Sequence, residues 1–274
     1  MKIAYFGFDA FADCMPVWQQ LGHEIAMVFT GDFPGYTDRV SGFAQQHGIP
    51  TIVDKPAPDH LQLCVEQGIN LLFAAEYPWR IPIPPEIDYT INIHPTLLPQ
   101  GRGPTPLSHM LLHGGEHCGI TFHKMISEMD KGDILLQEPI DIADDETYDT
   151  LLAKMSARAP GLLQQLLDNF TEIYANATPQ GTGSYWPELT RADQTIDWNS
   201  NVDEINVRVR AFGHLGVFAS LGEQPVIIVG ATPVRCEQTM EPGTVTRVAE
   251  SKFEVAVRDG VVAFEKSGLY RLRQ

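Results

Sequence analysis

The stretch "INLLFAA", residues 69–75, carries no charge and no polar–apolar alternation, and "EYPWRIPIPPE" (76–86) breaks it off with four prolines. A short continuous apolar run of this kind reads as a strand covered on both faces, the mark of a parallel sheet. Upstream, "KIAYFGF" (2–8), "HEIAMVFT" (23–30) and "IPTIV" (49–53) read as strands. Between them, "FADCMPVWQQLG" (11–22), "RVSGFAQQHG" (39–48) and "PDHLQLCVEQG" (58–68) read as helices stopped by glycine, the first with Pro16 inside it. Strands alternating with helices predict an α/β fold with a mostly parallel sheet, and in such sheets ligands sit beyond the carboxyl ends of the strands.

Downstream, "YTINIH" (89–94) is the next strand, and residues 104–113 predict a short helix stopped by Gly114-Gly115. "CGITFHKM" (118–125) and "GDILLQEPIDI" (132–142) predict a hairpin around "ISEMDK", and residues 147–170 a long amphipathic helix packed back on the sheet. "YANATPQGTGSYWP" (174–187) has the Gly/Thr/Pro composition of a linker. Beyond it "VFASL", "PVIIVGA", "GTVTRV", "FEVAVRDG" and "VVAFEK" are closely spaced β runs that suit a small barrel or sheet. The expected division is a domain of residues 1–183 and a small β-rich domain of residues 184–274.

With 274 residues, 43% hydrophobic, the chain can bury a full core. No run approaches the roughly 20 apolar residues of a membrane helix, and the first residues lack the pattern of a signal peptide, so a cytoplasmic protein without membrane contact is expected. Four dispersed cysteines without a CxxC indicate ordinary buried thiols. The net charge is −16: residues 1–183 hold nine Lys and Arg against 23 Asp and Glu, and residues 184–274 ten against twelve. Neither part is a basic platform for nucleic acid.

Asn92 and His94 lie on one strand face, because side chains alternate with period two, and they project together at a carboxyl end. On its own such a pair reads first as loop support, with Asn92 satisfying loop backbone and the imidazole stacked under Pro95. Asp130, in the loop of the hairpin, is the third polar candidate at the same sheet edge. Amide, imidazole and carboxylate together suit acyl transfer between nitrogens: the amide donates to an oxyanion, the imidazole donates or moves a proton, and the carboxylate supports the imidazole or takes the amine proton.

"INIHPTLLPQGRGPTPL" (91–107) followed by "GITFHKMISEMDKGDILLQ" (119–137) closely resembles the folate-dependent formyltransferases, with their Asn-x-His-Pro strand end, Leu-Leu-Pro loop, Arg-Gly turn and later Asp-x-Gly-Asp loop. "SYWPELTRADQTIDWNSNVDEINVRVRAF" (184–212) resembles the start of the second domain in the methionyl-tRNA formyltransferase branch. The resemblance implies a Rossmann-like first domain, a small OB-like second one, and transfer of formyl from 10-formyltetrahydrofolate to an amine or hydroxylamine. By the same carry-over Asn92, His94 and Asp130 are catalytic. Ala75, Tyr77, Trp79, Thr96, Leu97, Leu98, Pro99 and Asp133 would line the folate site, where prolines shaping a turn and a self-bonded Asp133 are the competing readings.

The chain departs from the family at Gly101-Arg102-Gly103, where a Tyr or Asn often precedes the Arg-Gly. That leaves Arg102 as the charged group by the acceptor cleft, expected to meet a carboxylate or phosphate or else to brace the turn. His109 and His113 stand at i,i+4, but without an HExxH signature and with glycines before His117 no metal is expected. A small amine is the favoured acceptor, an N-hydroxyornithine-like siderophore precursor or a nucleotide-linked amino sugar. Methionyl-tRNA, hydrolysis of the formyl donor, and folate binding without catalysis are the alternatives. The sequence carries no signal for oligomeric state.

Overall fold

The computed structural model describes residues 1–271, and they divide into two units. The first comprises Met1–Pro104, His117–Asp141 and Leu152–Trp186; the second comprises Thr105–Glu116, Ile142–Leu151 and the chain from Pro187 onward.

The first unit begins β1 (Lys2–Gly7), α1 (Cys14–Gln20), β2 (Glu24–Thr30), α2 (Asp38–His47), β3 (Thr51–Val53), α3 (Pro58–Glu66), β4 (Leu71–Ala75) and β5 (Tyr89–His94). Pro16 sits in the first turn of α1, where a missing N–H breaks no helical bond. After α4 (Pro106–His113), which belongs to the second unit, come β6 (Gly119–His123) and β7 (Ile134–Pro139). Seven strands form one sheet in the order β3-β2-β1-β4-β5-β6-β7. β1 to β5 are parallel, whereas β6 runs antiparallel to β5 and β7 antiparallel to β6.

All five residues of β4 are buried, as a central strand covered on both faces requires. One face packs Phe6, Phe29, Leu72 and Ala74 against Leu61 and Cys64 of α3, with Phe6 and Phe29 stacked at 4.3 Å. The strand order reverses between β1 and β4, and the carboxyl ends at such a switch point are where open α/β sheets place their ligands. β5 ends on His94 because Pro95 has no N–H to continue the ladder.

α5 (Tyr148–Asp168) carries the buried stripe Met155, Ala159, Leu162, Leu163 and Leu166, the spacing of one helical face, and α6 (Phe170–Ala175) follows. In the second unit α7 (Val202–Phe212) opens with a reciprocal cap: Asn201 Oδ1 accepts from the Glu204 N–H, and the Glu204 carboxylate accepts from the Asn201 N–H. Val202, Ile205, Val209 and Phe212 are its buried face. Two antiparallel sheets complete that unit. One pairs β8 (Val217–Leu221), β9 (Gln224–Ile228) and β14 (Leu269–Arg271); the other pairs β10 (Thr232–Arg235), β11 (Val245–Val248), β12 (Lys252–Val257) and β13 (Gly260–Glu265). The β-rich reading holds, and α7, β10 and β14 are additions to it.

Cys14, Cys64 and Cys118 are buried thiols outside any disulfide, but Cys236 is exposed, which corrects the expectation for that residue. Among the described residues no helix is long and apolar enough to cross a membrane.

Candidate active site

The register of β5 and β6 sets the site. Asn92 lies directly across from His123, so a histidine from the antiparallel strand faces the amide, and Asn92 Nδ2 is 3.0 Å from His123 Nε2. His123 Nδ1 donates to the Lys124 carbonyl at 2.7 Å, which leaves Nε2 with a lone pair and makes Asn92 the donor. Burial is the main cause that holds His123 neutral, pushing it down to about 4 against the opposing pull of Asp130, with His94 adding to the depression. The neutral ring therefore fixes the Asn92 amide by one of its two N–H groups, and the other N–H has no hydrogen-bond partner among the described residues.

His94 is buried at the strand end, and its Nε2–H donates to the Gly101 carbonyl at 2.8 Å. The Nδ1 edge faces Asp130 Oδ1 at 3.7 Å, and the same oxygen is 3.7 Å from His123 Nε2. Asp130 Oδ2 accepts the Gly103 N–H at 2.9 Å. Asp130 adopts φ +54°, a left-handed conformation uncommon outside glycine. The structure thus brings Asn92, His94 and Asp130 together, and adds His123, which the sequence reading passed over inside "CGITFHKM".

A pH dependence of stability follows from His123. Its proton affinity is lower in the folded chain than in the unfolded one, so its contribution is complete above about 6.5 and is lost as pH falls towards about 4. Urea unfolding across that window is expected to show a slope of up to about 1.4 kcal/mol per pH unit from this group. In His123→Gln that part of the slope should vanish; an unchanged slope would mean the ring already titrates in the folded protein.

The Gly101–Gly103 turn explains the departure from the larger residue. Gly101 has φ +71°, and a Cβ there would lie 2.7 Å from the Trp186 ring and 2.8 Å from the Thr96 methyl. Trp186 fills the space beside the turn. Arg102 turns one edge inward: Nε and Nη2 donate to Gln180 Oε1 at 3.0 and 2.8 Å, and Nη2 also donates to the Gly181 carbonyl at 3.2 Å. One edge of Arg102 thus braces the turn, and among the described residues Nη1 has no hydrogen-bond partner.

The residues expected at the folate site are spread along the same sheet end. Ala75 is fully buried, with its carbonyl accepting from Phe8 N–H. Tyr77 donates its hydroxyl to the Asp54 carbonyl at 3.0 Å, burial pushes its phenol well up, and its ring meets Phe6 and Trp79 edge on. Trp79 also abuts Phe8 and Phe33. Thr96 and Leu98 are buried, Thr96 bonding the Gln100 carbonyl and Leu98 N–H the Thr121 hydroxyl; Leu97 and Pro99 are half-buried. Asp133 sits 3.7 Å from Lys124 Nζ, and its carbonyl accepts the Lys124 N–H. In the second unit His109 donates to the Pro187 carbonyl at 2.7 Å. Among the described residues no group of three or more His, Cys, Asp and Glu side chains could hold a metal ion.

Comparison with known proteins finds the formyl transferase domain over residues 86–167 and the formyl transferase C-terminal domain over residues 188–268. A methionyl-tRNA formyltransferase of Coprothermobacter proteolyticus is 29% identical over 267 residues, spanning 92% of this chain and 87% of that one. Among solved structures, HypX of Aquifex aeolicus in complex with tetrahydrofolic acid aligns with TM-score 0.71 at 18% identity, over 97% of this chain and 44% of that one. This chain thus spans less than half the length of HypX. An N-formyltransferase of Helicobacter canadensis, in complex with folinic acid and dTDP-3-aminofucose, aligns with TM-score 0.68 at 16% identity over 99% of both chains.

Proposed function

This chain belongs to the formyltransferase family of enzymes, and from that premise we propose that it moves the formyl group of 10-formyltetrahydrofolate onto a small primary amine or hydroxylamine. The observation that carries the reading is the convergence of Asn92, His94 and Asp130 at the carboxyl end of β5, with the Asn92 amide oriented by a neutral His123.

The attacking nitrogen adds its lone pair to the formyl carbon, and the carbonyl oxygen becomes an oxyanion held by the free N–H of Asn92. His94 carries the migrating proton on Nδ1, since Nε2–H is committed to Gly101, and the facing Asp130 stabilises that imidazolium. When the bond from the formyl carbon to the donor nitrogen breaks, the electron pair stays on that nitrogen, which takes the proton. Tetrahydrofolate leaves, and the acceptor keeps the formyl group as an amide.

The loops of residues 75–79, 96–99 and 130–133 are the proposed cradle for the folate, largely through backbone groups, because several of their side chains are committed to the fold. Arg102 is the proposed acceptor anchor: held by Gln180 along one edge, it offers Nη1 to a carboxylate or phosphate. N5-hydroxyornithine supplies a carboxylate for this, a nucleotide-linked amino sugar a phosphate. The acidic balance of both parts of the chain supports a small acceptor over tRNA. The methionyl-tRNA formyltransferase likeness across nearly the whole chain keeps methionyl-tRNA as the second reading. A cytoplasmic setting, and a division of labour between residues 1–183 and 184–274, belong to the same proposal.

The test follows tetrahydrofolate release from 10-formyltetrahydrofolate by absorbance, without acceptor and then with N5-hydroxyornithine, nucleotide-linked amino sugars and methionyl-tRNA in turn. Release that depends on a small amine is the expected result. Release only with methionyl-tRNA would install the second reading, and release without any acceptor would make the protein a hydrolase.

A further inference from the structure

Residues 176–186 have the composition of a linker, yet Thr178, Gln180, Gly181, Ser184 and Trp186 are hydrogen-bonded to the start of β7 and to the two loops that build the site. Thr178 and Ile134 exchange backbone hydrogen bonds in both directions, each 2.8 Å. Ser184 accepts the Gly101 N–H on its hydroxyl at 2.8 Å and the Arg102 N–H on its carbonyl at 3.1 Å, and Trp186 N–H donates to the Arg102 carbonyl at 2.7 Å. Gln180 lies between these clips and uses all four positions of its amide. Nε2 donates to the carbonyls of Asp130 at 2.8 Å and Gly132 at 2.7 Å, while Oε1 takes the two Arg102 bonds.

One NH₂ group bridging carbonyls two residues apart sets the curvature of the loop between them. Two features of the loop accompany that curvature. Asp130 is held at φ +54°, and Gly132 is pressed so close to the facing strand end that a Cβ there would lie 1.9 Å from the Lys124 carbonyl oxygen. Among the described residues the Asp130 carboxylate has a single hydrogen bond, to Gly103 N–H, so its aim between His94 and His123 is decided by its backbone. Relaxation of Asp130 to a negative φ would swing the carboxylate off both rings.

We propose that Gln180 is a positioning residue for formyl transfer: it holds the Asp130 loop in its strained form and ties that loop to Arg102, so that carboxylate and guanidinium keep a fixed relation. The proposal rests on Asp130 taking part in the reaction. A merely structural glutamine would lower stability without separating turnover from binding, and its effect would add to that of any change at Asp130.

Gln180→Glu separates the two roles, because a carboxylate still accepts from Arg102 but cannot donate to the carbonyls of Asp130 and Gly132. The readout is kcat and KM with 10-formyltetrahydrofolate and whichever tested acceptor supports turnover, alongside the thermal midpoint. In the folded variant kcat should fall by about ten- to a hundredfold, the scale of a small misplacement, with both KM values within about twofold. On an Asp130→Asn background the same change should cost nothing further. Near-normal kcat, or a loss that adds fully to that of Asp130→Asn, would overturn the proposal. Should Gln180→Glu not fold, Gln180→Met carries the same expectation for kcat and for its loss on the Asp130→Asn background, with a rise in the acceptor KM besides, because Arg102 then loses its side-chain acceptor as well. Asp130→Asn with near-normal turnover would instead sink the reading of the site, so the two failures stay distinct.

Discussion

Replacing His94 by alanine is expected to lower turnover by about a thousandfold, the middle of the range for loss of a general acid–base group. The size follows from how little else at the strand end can take its place. His123 is held neutral by burial, pushed down to about 4, and its Nδ1–H is bound to Lys124, so it cannot pick up the migrating proton near neutrality. The proton transfer occurs only in the transition state, so KM for donor and acceptor should stay close to the parent values. The measurement is the steady-state rate of tetrahydrofolate release at saturating substrates, with the thermal midpoint as a check that the buried truncation has not unfolded the strand end. A variant keeping more than about a tenth of the parent rate would remove His94 from proton transfer.

Asn92→Ala should cost on the order of 10²–10³ in kcat, the scale of a lost oxyanion donor. Here the amide is oriented before substrate arrives: its Nδ2 gives one hydrogen to His123 at 3.0 Å, so the second hydrogen points in a direction set by the protein. Truncation removes that hydrogen and also leaves His123 Nε2 without its donor, which adds a modest loss of stability. The two effects separate by assay, since the stability loss shows in urea unfolding and the oxyanion loss only in turnover. Near-normal turnover in a folded Asn92→Ala protein would rule out the oxyanion role.

The sheet and the pairing of Asn92 with His94 were legible because they depend on short-range periodicity. An uninterrupted apolar run at residues 71–75 has one comfortable home, a covered parallel strand, and residues two apart on a strand must share a face. His123 was not legible for the opposite reason. Its place across from Asn92 depends on the register of two strands joined through α4 and its flanking loops, and nothing local to "CGITFHKM" reports that register. Gln180 is harder still. It lies in a stretch without periodicity, where composition reads as linker, and its importance comes from four hydrogen bonds to three residues 48 to 78 positions away in sequence. Helix α7 was readable in principle: Asn201 with Glu204 three residues on is a helix-start pattern, and the spacing of Val202, Ile205, Val209 and Phe212 is helical.

The left-handed backbone at Asp130 sets the demands of the fold against those of the proposed chemistry at one codon. Glycine adopts that conformation freely, while a side chain there costs about 1 kcal/mol. A library randomised at position 130 and sorted only for survival at high temperature should therefore drift towards glycine. Sorted for formyl transfer, it should return to aspartate. A thermostabilised descendant of this protein is most easily made inert at this residue, and a laboratory that evolves it for heat alone should sequence position 130 first.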